Sequence, residues 1–170
     1  MKYAIDMGNK FTEDFSKSSD EDRGALELIE SIGGNIIKDL KDRGHSIIDC
    51  STENIINNGE SLQRRIIKVN QSKAELFISI NCIKGNSNEI NIYVKDEDGA
   101  KIGNRIKKYI MYSMDFNVNI KNGEKLYILK NTKIKGIVIE ICILSYDLKV
   151  IEEILSEGII KAMIYSNNLI

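Results

Sequence analysis

The chain has no proline, no tryptophan, a single histidine and three cysteines in its 170 residues. The missing proline and tryptophan accompany heavy use of isoleucine, asparagine and lysine, a bias typical of AT-rich genomes, and carry no structural weight. Cys50, Cys82 and Cys142 are odd in number and form no CxxC pair. That argues against a disulfide framework or a structural zinc ribbon. Cys82 and Cys142 sit in apolar runs and are expected as small core residues. No apolar run is long enough to span a membrane, and the opening MKYAIDMGNK enters a strand pattern without a signal segment. As it stands the chain shows no address for secretion and is expected in the cytoplasm. A net charge of −1 supplies no excess of cations for nucleic acid or an anionic membrane. The acid-rich stretch from Glu13 to Asp22 and the basic group Arg105, Lys107 and Lys108 are read as solvated surface.

What is present is an ordinary globular composition, 42% hydrophobic and 29% charged, in a length that suits a single domain over residues 1–170. Apolar strands alternate with helical patterns. Strands are expected over Lys2 to Met7, Ser46 to Cys50, Glu75 to Cys82, Glu89 to Lys95, Lys125 to Lys130 and Lys135 to Leu144. Helices are expected over about Ala25 to Asp42, Ser61 to Gln71, about Gly99 to Ser113 and Leu148 to Ser166. Gly33-Gly34 lies inside the first helix, where it either bends the helix or lets something crowd it closely. Arg43-Gly44-His45 reads as that helix's stop. The alternation predicts an α/β fold in three layers, with a central, mostly parallel twisted sheet of about six strands flanked by helices. The strand ELFISINC is nearly continuous in apolar residues and is expected to be buried on both faces. EINIYVK alternates more cleanly and suits a position near an edge.

In such sheets functional groups gather at the carboxyl ends of the strands. Three strand ends carry polar residues in apolar company: Asp6-Met7-Gly8-Asn9, Ser79-Ile80-Asn81, and Glu140 within Ile137 to Ile143. Glu140 is the sharpest anomaly. A carboxylate inside a buried strand is costly unless it is paired or functional, so it is either a satisfied buried acid or part of a site.

Taken together and in order, these segments resemble the zinc-dependent N-acetylmuramoyl-L-alanine amidases, in the form found in clostridial autolysins and phage endolysins. The family's Asp-x-Gly-His corresponds to IDMGNK, with Asn9 at the histidine's place. RGALELIES carries Glu30 where the family has a helical glutamate, and GHSIIDC matches a further family element. SLQRRIIKVNQSKAELFISINCIKGN matches the stretch that holds the family's second histidine, here Asn81. LYILKNTKIKGIVIEICI keeps the family's late glutamate as Glu140. The resemblance covers nearly the whole chain.

In the resembled family two histidines and a glutamate hold zinc, and the late glutamate acts as general base and acid on a water that the metal acidifies. Here the corresponding set is Asn9, Glu30 and Asn81. A neutral amide oxygen is a poor ligand for a borderline-soft metal. Structural zinc sites are worth about 10–16 kcal/mol, or about 3–4 per ligand. Losing two ligands therefore costs about 6–8 kcal/mol, roughly 10⁴ to 10⁶ in affinity. His45, the only histidine, lies at the far end of the first helix and is expected as a helix-end residue. No cofactor is expected. Further departures are Ile143 in place of an aromatic, Ile134-Lys135-Gly136 in place of a proline turn, and a lost arginine near Val118. These positions are expected to line or support the substrate groove. The resemblance then implies a degenerate, non-catalytic amidase-like domain. It would bind peptidoglycan fragments or a protein partner, and act at the cell wall after release. An active amidase with an oxygen-rich metal site of Asn9, Glu30, Asn81 and Asp6 is the alternative. A structural subunit of a phage or spore assembly is a third.

Overall fold

The computed structural model describes residues 1–8, 20–51, 58–84, 87–143 and 148–166. In chain order the elements are β1 (Lys2–Asp6), α1 (Asp20–Asp42), β2 (Ser46–Asp49), α2 (Asn58–Gln71), β3 (Leu76–Lys84) and β4 (Glu89–Val94). They are followed by α3 (Glu97–Ser113), β5 (Asn117–Asn122), α4 (Tyr127–Asn131), β6 (Lys135–Ile143) and α5 (Leu148–Ser166). The strands form one six-stranded sheet in the order β2-β1-β3-β6-β4-β5. Only the β4–β6 pairing is antiparallel, and every other neighbouring pair is parallel. The expected three-layer α/β architecture is therefore present.

The two faces of the sheet are covered unequally. Tyr3, Ile5, Ile78, Ile80, Ile90, Ile92, Ile137, Ile139 and Ile141 project from one face into a large core with α1, α3 and α5. Ala4, Phe77 and Val138 project from the other into a smaller cluster capped by Ile66 and Val69 of α2 and Ile128 and Leu129 of α4. The two-residue period of a strand sorts the side chains between these layers.

The end of α1 forms as the sequence suggests. Gly44 N donates to Lys41 O at 2.9 Å and His45 N to Leu40 O at 3.0 Å, satisfying two of the helix's last carbonyls. His45 then lies at the amino edge of the sheet, edge-on to Tyr3 and 3.4 Å from the chain's amino terminus through Nδ1.

Gly33 and Gly34 have different reasons to be glycine. The Met7 side chain lies directly on Gly33, where a Cβ would collide with its Sδ and Cγ, whereas nothing lies within 4 Å of a Cβ at Gly34. Helix α1 is thus crowded rather than broken. Gly33→Ala is expected to cost about 1–3 kcal/mol through overpacking. Gly34→Ala should instead stabilise by about 0.5–1 kcal/mol through helix propensity. Urea unfolding of the two variants checks the pair, and equal effects would refute the assignment.

Two expectations are corrected. Lys125 to Lys130 is not a strand; its apolar residues form the short helix α4, with Lys130 N donating to Leu126 O at 2.8 Å. A run as short as LYIL has no periodicity to separate helix from strand, and here one turn suffices to bury Ile128 and Leu129. Conversely, β5 (NVNIKN) was not expected at all. It is an edge strand with only Val118 and Ile120 as apolar residues, too few to outweigh its asparagines in propensity. Three helices also begin earlier than expected. In α3 the Asp96 side chain caps the new start by accepting from Gly99 N at 2.7 Å.

Candidate functional site

The parallel register of β3 and β6 sets Asn81 beside Glu140, and the antiparallel register of β6 and β4 sets Glu140 beside Asn91. Asn91 in turn pairs with Asn119 on β5. Four polar residues on four adjacent strands therefore form one row, on the face that also carries α2 and α4.

Each member owes its position to local structure. β1 ends with Asp6 fully buried, where Oδ2 accepts from Arg65 Nη1 at 2.8 Å and Ser79 Oγ at 2.7 Å. Met7 N donates to Ser51 Oγ at 3.0 Å. The next residue, Gly8, has φ +59, and a Cβ there would approach Asn81 Oδ1 to 2.6 Å and the Ile80 carbonyl to 2.9 Å. Only glycine brings the end of β1 this close to Asn81.

Asn81 and Glu140 are both half-buried. Glu140 Oε1 accepts from Tyr93 OH at 3.2 Å and from Asn91 Nδ2 at 3.3 Å. Asn91 Nδ2 also reaches Glu89 Oε1 at 3.0 Å, and Asn119 Nδ2 donates to Asn91 Oδ1 at 3.3 Å. Glu140 Oε2 and the Asn81 carboxamide make no hydrogen bond with a described residue. The local field is negative. Burial first, and then the Glu140 charge, push the Tyr93 phenol above its ordinary range. Burial, followed by the Glu140 and Glu89 charges, does the same to the Cys142 thiol. Lys121 Nζ stands 5.8 Å from the Tyr93 ring centre.

Of the residues singled out from the sequence, Asn81 and Glu140 are brought together. Glu30 is exposed on α1, three residues ahead of Gly33 and so on the part of the helix nearest the carboxyl edge. It makes no hydrogen bond or ion pair with a described residue. Asn9 lies outside the described residues. Among the described residues no three His, Cys, Asp or Glu side chains are grouped to hold a metal ion. Val118 and Ile143, expected to line or support a groove, do not share the Glu140 face. Both pack toward the larger core with α1, α3 and α5, because each is an odd number of residues from a groove-facing position on its strand.

Cys142 is buried as expected, Cys82 is half-buried against the larger core, and Cys50, for which no place was expected, is buried as well. Burial is the main cause that pushes the Cys50 and Cys82 thiols up to about 12. Glu89, Asn91, Tyr93 and Asn119 were missed. Their signal was the polar alternation in EINIYV, a strand expected near an edge, and in NVNIKN, where no strand was expected.

The sequence profile of N-acetylmuramoyl-L-alanine amidases matches residues 12–153. The chain belongs to that family. No match was found among curated proteins. Among solved structures, the catalytic domain of CwlV, an N-acetylmuramoyl-L-alanine amidase from Bacillus (Paenibacillus) polymyxa var. colistinus, is similar with a TM-score of 0.75 at 14% identity, covering 99% of both chains. The catalytic domain of the CD27L endolysin, which targets Clostridia difficile, gives 0.74 at 19% identity over 98% of this chain and 96% of its own. The CwlD amidase of Clostridioides difficile, solved in complex with the GerS lipoprotein, gives 0.71 at 15% identity over 99% of both. At such identities the structural likeness is one of fold, and the amidase fold is what these domains share with this chain. No helix among the described residues is long and apolar enough to cross a membrane.

Proposed function

We propose that this amidase-family domain is non-catalytic and binds peptidoglycan fragments or a protein partner in cell-wall processes, through Asn81 and Glu140. The observation that carries the reading is the register pair Asn81↔Glu140 together with the place of the only histidine. An amide stands beside Glu140, while the one imidazole in the chain sits at the opposite edge against the amino terminus. Zinc in this family calls for imidazole donors, and the donors at this edge are a carboxamide and carboxylates, which do not fit a borderline-soft ion. Glu140 would then serve as an acceptor for a ligand rather than as a base, next to the Asn81 carboxamide, which bonds no described residue. That CwlD is found with a lipoprotein partner supports the protein-partner arm.

Against the oxygen-rich metal alternative stands the surrounding of Asp6, which is fully buried with Oδ2 taken by Arg65 and Ser79. One purified sample decides between the readings. We expect metal well below one equivalent after zinc exposure, no release of free amino groups from bacterial cell wall, and retention on that wall or on a partner. Stoichiometric metal accompanied by amine release would overturn the proposal in favour of an active amidase. Neither metal nor retention would leave a purely structural subunit.

A further inference from the structure

Among the groups that the amidase resemblance does not account for, Asn91 has the most constrained surroundings. It lies in the middle of β4, 2% exposed, with β6 on one side and β5 on the other. Asn119 Nδ2 donates to its Oδ1 at 3.3 Å. That contact settles which way the carboxamide faces. The opposite orientation would set one NH2 against another and turn the carbonyl oxygen toward two carboxylates. In the orientation present, Nδ2 faces β6 and reaches both Glu89 Oε1 at 3.0 Å and Glu140 Oε1 at 3.3 Å. Tyr93 OH adds a second donor to the same Glu140 oxygen at 3.2 Å. No cation pairs with Glu140 or Glu89 among the described residues, so these neutral donors alone meet the cost of half-burying the Glu140 charge.

We propose that Asn91, backed by Asn119 and assisted by Tyr93, is the positioning residue of the site, holding the Glu140 carboxylate so that Oε2 faces a ligand. The inference rests on the reading above that Asn81 and Glu140 receive that ligand. Among the described residues nothing donates to Glu140 Oε2 and nothing bonds the Asn81 carboxamide beside it, so both polar groups are left to face a ligand.

The test uses two near-isosteric variants, Asn91→Asp, which keeps the shape and removes the NH2, and Tyr93→Phe, which removes only the hydroxyl. The first readout is the Glu140 side-chain carboxyl carbon resonance in isotope-labelled protein. The second is the affinity for N-acetylmuramoyl-L-alanyl-D-isoglutamine. Asn91→Asp is expected to shift the Glu140 resonance and to weaken the probe about tenfold or more, the loss of a hydrogen bond to a charged group. Tyr93→Phe should do the same to a smaller degree. An unmoved Glu140 resonance in both folded variants would overturn the positioning role, whatever happens to binding. Should the unmodified protein fail to bind the probe while the resonance still moves, the positioning role stands and the peptidoglycan arm of the proposed function falls.

Discussion

Returning histidine to positions 9 and 81 should turn this chain into a zinc protein. At about 3–4 kcal/mol per ligand, Asn81→His alone is expected to raise zinc affinity by roughly 10² to 10³. The Asn9→His/Asn81→His pair should raise it by roughly 10⁴ to 10⁶. The surroundings favour recovery. Asn81 is half-buried, its replacement breaks no hydrogen bond with a described residue, and the absence of a Cβ at Gly8 leaves room where the side chain lies closest to β1. Glu30, unpaired among the described residues, would supply the family's third ligand. Competition against a chromophoric chelator measures the gain directly, and Glu30→Gln in the double-histidine background should remove about one ligand's worth of it. A double variant that binds zinc no better than the unmodified chain would mean that Asn9 and Asn81 do not occupy the family's metal positions. Zinc uptake and wall hydrolysis are separate readouts. Amine release by the zinc-loaded double variant would further show that Glu140, although tied to Tyr93 and Asn91, can still move a proton.

Much of this arrangement was visible in the sequence, for a physical reason. A carboxylate at position 140 inside GIVIEICI violates the rule that buried strands are apolar, and a violation of that kind stands out without any structure. The long strands and helices were equally legible, because their apolar periods run for many residues. What escaped was short or depended on a partner strand. Helix α4 is a single turn, and β5 owes its existence to pairing with β4 rather than to its own asparagine-rich sequence. The row Asn81, Glu140, Asn91 and Asn119 is a property of register across four strands. Register is set by which strands become neighbours, and β6 enters between β3 and β4 although it comes last in the chain. Nothing local announces that Asn91 will face Glu140. Strand parity likewise turns Val118 and Ile143 into the opposite core, from where they can support the site but not line it.

Arg65→Met should be among the most damaging single substitutions for stability. The Asp6–Arg65 pair is almost wholly enclosed, with side-chain exposures of 0% and 4% at a separation of 2.8 Å. Removing one partner of such a pair strands the other charge in a poorly solvating interior and costs about 3–5 kcal/mol. That is a large part of the roughly 5–15 kcal/mol that holds a domain folded. Asp6→Leu/Arg65→Met should regain most of the loss, since apolar groups of similar size carry no desolvation cost, and a double-mutant cycle in urea isolates the coupling. The pH dependence supplies a second check with a definite sign. Burial raises the Asp6 carboxyl above its ordinary range, with Arg65 the largest influence pulling it back. Without Arg65 it rises further. A carboxyl raised by folding costs stability at pH values above its unfolded pKa, and the cost is relieved as pH falls through the folded value. The deficit of Arg65→Met should therefore shrink toward acid. A deficit below about 1 kcal/mol at neutral pH, or one that grows on acidification, would show that the pair is not what secures α2 to β1 and β3. The damage should also reach the site. Asp6 is the last residue of β1, and two positions on Gly8 lies against Asn81. Loosening the pair would release the end of β1 from Asn81, so fragment or partner binding should fall in the variant even where it remains folded.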